Sequence, residues 1–176
     1  SPAFRRHKAQ PWGAFSIREK KMSKQFNVAV VGATGLVGET MIQLLEERNF
    51  PVAEFHPLAS ERSAGAKIRF GKREHTVGVL DDFDFSGTDI AMFSAGGSIS
   101  DVHAPRAGAA GCVVIDNTSR FRYDDDIPLV VPEVNAEAIA DYRNRGIIAN
   151  PNCSTIQMVV ALKPIYDAVG IERINV

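Results

Sequence analysis

What the 176-residue chain lacks narrows its class before any motif is read. No apolar run approaches the ~20 residues that span a bilayer, so no membrane partner is expected. There are two cysteines, Cys112 and Cys153, too few for a disulfide framework, and a reducing, cytoplasmic setting is expected. A formal charge of −1 leaves no cationic excess, which argues against nucleic acid as the main partner. Internal repeats and low-complexity segments are absent as well, and no metal site is expected. What is present, 45% hydrophobic and 23% charged residues, suffices to bury a core and excludes disorder over most of the length. The length suits about one domain, with a soft upper limit near two.

The charge is unevenly placed. Residues 1–24 hold seven Lys/Arg against the single acid Glu19, and the remaining 152 residues carry −7. An Arg-rich, acid-poor head fits a targeting peptide or a nucleic-acid arm. This head opens on Ser1, contains Pro2, Pro11, Trp12 and Gly13, shows no sustained period, and precedes Met22 at the edge of the first orderly strand. It therefore reads as upstream sequence or a cloning remnant, and residues 1–22 are expected to form an extension outside the fold.

From Gln25 onward, apolar β-rich runs alternate with helical patterns. Phe26–Val31 is nearly continuous in apolar residues, as a strand buried on both faces must be. Gly35–Arg48 follows with Leu36, Val37, Met41, Leu44 and Leu45 at helical spacing. Strands are expected at Phe55–Ala59, Asp89–Phe93, Cys112–Asp116, Leu129–Val131 and Ile147–Ala149, and short antiparallel or irregular structure around Gly71 and Gly78. Helices are expected in part of the Gly/Ala-rich stretch after Phe93, near Ala136–Arg143 and over Thr155–Val169. Ile171–Val176 reads as the start of a further strand, which suggests an N-terminal fragment. This alternation predicts an α/β fold, a doubly wound, Rossmann-type, mostly parallel sheet with helices on both faces.

The first strand runs into Gly32-Ala33-Thr34-Gly35-Leu36-Val37-Gly38 and then directly into a helix. Glycines permit a tight turn, close approach of a pyrophosphate, and close helix–strand packing. The helix N-terminus offers free N–H groups and a positive dipole end to phosphates. The spacing is G-x-x-G-x-x-G rather than G-x-G-x-x-G, so the strand–turn–helix context carries the inference. After the second strand, Ser60-Glu61-Arg62-Ser63 presents both an acid, which favours the free ribose hydroxyl of NAD, and an arginine, which accommodates the 2′-phosphate of NADP. Arg62 between hydroxyls reads as a phosphate cradle with Glu61 turned away. A solvated polar loop is the alternative. A second small-residue turn, Ser94-Ala95-Gly96-Gly97-Ser98, follows a later strand, where ligands of doubly wound sheets lie.

Cys153 lies in Asn150-Pro151-Asn152-Cys153-Ser154-Thr155, between a strand and a helix that Ser154 or Thr155 can cap. A thiol at a helix N-terminus is a competent nucleophile. Cys112, in the apolar run Cys112-Val113-Val114-Ile115, reads as a small buried hydrophobe. None of His7, His56, His75 and His103 has a compelling claim as a base for the thiol. Arg120, in Asp116-Asn117-Thr118-Ser119-Arg120-Phe121-Arg122, can hold a phosphate or carboxylate bidentately, or belong to a plain surface loop.

Taken in order, GATGLVG, SERSAG, SAGGS, DNTSRFR, VVPEVN and NPNCSTIQ resemble the aspartate-β-semialdehyde dehydrogenase family from about Lys24 to Val176. The resemblance implies that Cys153 forms an acyl thioester and that Asn152 shapes the acyl site. It also implies that Thr34 to Val37 form the dinucleotide turn, that Arg62 and Ser63 select NADP, and that Arg120 binds phosphate. The implied activity is reductive dephosphorylation of L-aspartyl-4-phosphate to aspartate semialdehyde, on the route to lysine, threonine, methionine and isoleucine. The implied enzyme is a homodimer. Family members continue past the equivalent of Val176 with a substrate-binding glutamine, a carboxylate-binding arginine and the histidine acid/base, so this piece alone is expected to be inactive. Residues 23–152 are then an NADP-binding domain and 153–176 the start of a catalytic and dimerisation domain. The rivals are another acyl-phosphate reductase, such as N-acetyl-γ-glutamyl-phosphate reductase, and a non-catalytic NADP-binding module.

Overall fold

A computed structural model describes residues 24–176; the extension expected at 1–22 lies outside the described residues. The described residues form a six-stranded parallel sheet in the order β5-β2-β1-β6-β7-β8. The strands are β1 (Phe26–Val31), β2 (Val52–Ala59), β5 (Gly78–Val79), β6 (Ile90–Phe93), β7 (Val113–Asp116) and β8 (Ile147–Ala149). Strands β3 (Lys67–Phe70) and β4 (Arg73–Thr76) form a separate antiparallel hairpin turned at Gly71. The helices are α1 (Leu36–Glu47), α2 (Gly97–Ala109), α3 (Pro132–Asn135) and α4 (Cys153–Val169).

β1 sits mid-sheet, and its last four residues are fully buried. Successive side chains point to opposite faces. Ala29 and Val31 therefore enter one core with Leu58, Phe85, Phe93 and Phe121, while Val30 enters the other with Ile42 of α1 and Phe55. A strand buried twice over must be apolar without alternation, which is what made β1 readable. The chain leaves β1 for β2 on one side and returns to β6 on the other. The strand order thus reverses between β1 and β6, where ligands of open α/β sheets bind.

Four local expectations need correction. Leu129–Val131 is not a strand: Leu129 makes a lone bridge to Ala149, and Pro128 and Pro132 deny the flanking N–H groups a ladder needs. Ala136–Asn144 is 3-10 rather than α-helical. Ile171–Val176 forms no strand. After Gly170 (φ 74°) turns the chain, Ile171 and Ile174 lie beside Val159, Leu162 and Tyr166 of α4, where no strand edge is available. Finally, α4 begins at Cys153, two residues before the expected start. Among the described residues, no helix is long and apolar enough to cross a membrane.

Candidate functional site

At the carboxyl ends of β1, β2 and β6, a cavity of about 320 Å³ is lined by Gly32, Thr34, Ser60, Arg62, Ser63 and Ser94, among others. Its floor is the glycine turn. Gly32 adopts φ 86°, and a Cβ there would stand 3.0 Å from Ser94 Oγ. Gly32 and Ala33 N–H both donate to Leu58 O, at 2.9 and 3.1 Å, which ties the turn to the end of β2. Ser94 donates through N–H and Oγ to Val31 O, at 2.9 and 3.1 Å, which closes the β6 side. Gly38, in the first turn of α1, packs so tightly that a Cβ would fall 2.2 Å from Gly32 O. Gly35 caps α1 with no side-chain acceptor, so the first-turn N–H groups beside Leu36 and Val37 stay open to an anion.

The residues expected to read the ribose lie on a short 3-10 turn, Glu61–Ser63. Arg62 makes no hydrogen bond or ion pair among the described residues, and it lines the cavity with Ser60 and Ser63; Glu61 does not line it. Gly96 and Gly97 lie outside this lining and start α2, Gly96 at φ 98°. A Cβ on Gly97 would stand 3.8 Å from Arg120 Cβ, so the N-terminus of α2 abuts the Arg120 turn.

Arg120 itself is engaged. Its guanidinium bonds Asp101 and Asp124 and lies over the Phe121 ring, 4.8 Å from the centroid. The Asp101 hydrogen bond raises its pKa further above its ordinary value.

The cysteine turn is built from two strand ends. Asn150 N–H donates to Asp116 O at 2.8 Å, and its Nδ2 to Asn117 Oδ1 at 2.6 Å. Arg122, whose role the sequence did not disclose, spans the same two ends: Nε donates to Asn150 O at 2.9 Å and Nη2 to Asn117 O at 3.2 Å. Asp116, fully buried, accepts from Ser100 Oγ and from both N–H and Oγ1 of Thr118. That network fastens α2 to the end of β7.

The helix cap is Asn152, not Ser154 or Thr155. Its Oδ1 accepts from Thr155 N–H at 2.7 Å, which puts the exposed Cys153 at the first position of α4. The signal in the sequence was Asn152 itself, a favoured cap residue just ahead of the helical stretch. Cys112 is 1% exposed, and burial, aided by Asp89, pushes its thiol up to about 12.

His103 bonds Asp81 and Arg106, His56 packs on Phe83, and His75 packs on Phe55 and Phe70. None of these partners belongs to the cysteine turn. His7 lies outside the described residues. Among the described residues, no cluster of His, Cys, Asp and Glu is arranged to hold a metal.

Residues 27–142 match the family model for semialdehyde dehydrogenase, NAD binding domain. The chain is 66% identical over 155 residues to the aspartate-semialdehyde dehydrogenase of Shewanella violacea, covering 88% of this chain and 46% of that protein. It superposes on the crystal structure of aspartate semialdehyde dehydrogenase II from Vibrio cholerae, complexed with ASA, at TM-score 0.84 and 67% identity. That match covers 85% of this chain and 49% of the other. The Candida albicans aspartate semialdehyde dehydrogenase, solved with NADP, matches at TM-score 0.67 and 27% identity over 84% of this chain and 48% of the other. The chain thus spans about half the length of the relatives it matches.

Proposed function

From the premise that the chain belongs to the semialdehyde dehydrogenase family through its NAD-binding domain, we propose that it is the cofactor-binding and nucleophile-bearing part of an NADP-dependent aspartate-semialdehyde dehydrogenase. One observation carries this reading: an exposed thiol at the first position of α4 shares the carboxyl edge of one parallel sheet with a glycine-lined cavity. The cavity suits a dinucleotide because a Cβ at Gly32 would stand 3.0 Å from Ser94 Oγ, the N-terminus of α1 lacks a side-chain cap, and Arg62 makes no ion pair among the described residues. Thr34 to Gly38 hold the pyrophosphate, Arg62 with Ser60 and Ser63 hold the 2′-phosphate, and Ser94, Gly96 and Gly97 border the nicotinamide end. A bound dinucleotide supplies a hydride.

The chemistry of the chain centres on Cys153. Its thiolate attacks the acyl carbon of L-aspartyl-4-phosphate, the carbon–oxygen bond to phosphate breaks, and inorganic phosphate leaves. Cys153 then holds the acyl group as a thioester, and when a hydride reaches the acyl carbon its sulfur would take back the carbon–sulfur bonding pair as the aldehyde leaves. Asn152 fixes the start of α4 and thereby aims the thiol. Arg120 receives the phosphate by exchanging its contact with Asp101. Arg122 is the second candidate for that anion, favoured by its direct bond to Asn150 O and by an Nη1 that makes no hydrogen bond among the described residues. The pathway is that of lysine, threonine, methionine and isoleucine, in the cytoplasm. The enzyme acts as a homodimer, with residues 23–152 as cofactor domain and the acid/base histidine beyond Val176.

The test uses the full-length protein with aspartate semialdehyde, phosphate and NADP. Cys153→Ser should lose activity by several orders of magnitude, since an alkoxide forms far less readily than a thiolate. Cys112→Ser should cost stability but little turnover. Equal losses in both variants overturn the nucleophile. Preferential turnover of N-acetylglutamate semialdehyde would move the protein to the neighbouring reductase. Equal iodoacetamide rates at the two thiols would favour the non-catalytic module.

A further inference from the structure

His103 on α2 is buried, and both of its ring nitrogens are engaged. Arg106, one turn later, places Nη1 2.7 Å from His103 Nδ1. A guanidinium only donates, so Nδ1 accepts and the ring proton sits on Nε2. That Nε2 stands 3.1 Å from Asp81 Oδ1, to which it donates. Arg106 also donates through Nη2 to the backbone oxygens of Asp81 and Phe83, at 3.4 and 3.2 Å. Two residues of one helix thus hold the segment after β5 by both its carboxylate and its main chain. Asp81 in turn lines the same cavity as Gly32, Arg62 and Ser63, and its Oδ2 makes no hydrogen bond among the described residues.

Resting on the reading of this cavity as a dinucleotide cleft, we propose that Asp81 reads the adenosine half of the cofactor and that His103 is the positioning residue that aims it. The free carboxylate oxygen accepts from a ribose hydroxyl or from the exocyclic amine of the adenine. A carboxylate on a short exposed turn has many rotamers, and a buried donor behind it selects one. Aiming depends on the neutral imidazole. A proton on Nδ1 removes the acceptor that holds Arg106 and sets a second cation against the guanidinium, so the clamp on the Asp81 and Phe83 carbonyls is lost. Burial, and then Arg106, lower the pKa of His103, with Asp81 opposing. The other groups around this site are exposed or indirect: Asp82 and Asp84 on the same turn are exposed, and His56 of β2 reaches it only through the Phe83 ring, 5.3 Å away.

The test is calorimetric titration of the full-length protein with NAD and NADP, at pH 8 and at the lowest pH at which it stays folded, for native protein, His103→Gln and Asp81→Ala. Gln offers the same donor to Asp81 and acceptor to Arg106 but does not titrate. NAD is the probe for the pH comparison, because the 2′-phosphate of NADP itself titrates near pH 6. Native protein should lose roughly fivefold or more in NAD affinity on acidification. H103Q should match native at pH 8 and stay nearly flat. D81A, an exposed substitution that leaves the core intact, should bind weakly at both pH values. An H103Q profile that falls as the native one does, or D81A binding like native at pH 8, overturns the inference alone. Absence of dinucleotide binding by all three proteins at pH 8 overturns the cleft itself.

Discussion

Single residues at this site differ in how far their chemistry is already committed inside the fold. Arg62 faces the cavity with no protein partner among the described residues, whereas Arg120 is shared between Asp101 and Asp124. An unpaired guanidinium adds its full charge-assisted contact when a phosphate arrives, about 1.5–3 kcal/mol, or on the order of ten- to a hundredfold in affinity. Arg62→Ala should therefore erase most of a preference for NADP over NAD while leaving NAD affinity almost unchanged, as read by titration with both dinucleotides. Equal affinities in the native protein would remove the role given to Arg62. At this scale the sequence disclosed residue type but not partnership. Arg62 and Cys153 stand out by their polar and glycine-rich neighbours. Nothing in DNTSRFR tells which arginine turns back to Asp101 and which reaches Asn150, because those partners lie 19 and 28 positions away in the chain.

Elements place these residues through their ends. The start of α4 rests on one hydrogen bond from Thr155 N–H to Asn152 Oδ1, and loss of such a cap costs about 1 kcal/mol. Asn152→Ala should lower Tm by a few degrees. Asn152→Asp keeps an acceptor and should hold Tm, yet its charge beside Cys153 disfavours the thiolate, so iodoacetamide labelling should slow. A matching Tm loss in both variants would show that the cap is not what holds this end. The glycine turn makes a similar contrast between neighbours. A Cβ at Gly35 meets Gly32 O at 3.4 Å, an ordinary contact, while one at Gly38 meets it at 2.2 Å, backbone against backbone. Gly38→Ala should thus destabilise by roughly 1–3 kcal/mol or more and disrupt dinucleotide binding, with Gly35→Ala much milder, both measured by denaturant unfolding. Element type was legible wherever burial on two faces forces a continuous apolar run, as in β1, β6 and β7. It was misread at Leu129–Val131, where β8 lies alongside but the flanking prolines leave only a lone bridge, and at Ile171–Val176, which has no ladder partner among the described residues. A strand is a property of a pair, and local pattern reports only one member.

The whole molecule has a pH window set by groups that burial holds neutral. His56 and His103 both have lowered pKa values, in each case chiefly by desolvation. Below the ordinary value of 6.5, the unfolded chain binds protons that the native state refuses, so stability falls as pH drops through that range. Asp84, held ionised by the Ser86 N–H, adds to the loss only at pH below its ordinary 3.8. On the alkaline side the sign reverses. Buried Cys112 keeps its proton to about 12, whereas an unfolded thiol gives it up near 9.0. Between those values the native state binds one proton more than the unfolded chain, and stability declines as pH rises. Tm should therefore peak between about pH 6.5 and 9 and fall on both sides. Cys112→Ala should lower the peak, since it removes a sulfur packed among Ala107, Val114 and Ile147, but it should also flatten the alkaline limb. Scanning calorimetry across pH 5 to 11 checks this without any assay of turnover. An alkaline limb unchanged in Cys112→Ala would mean that another buried proton sets it.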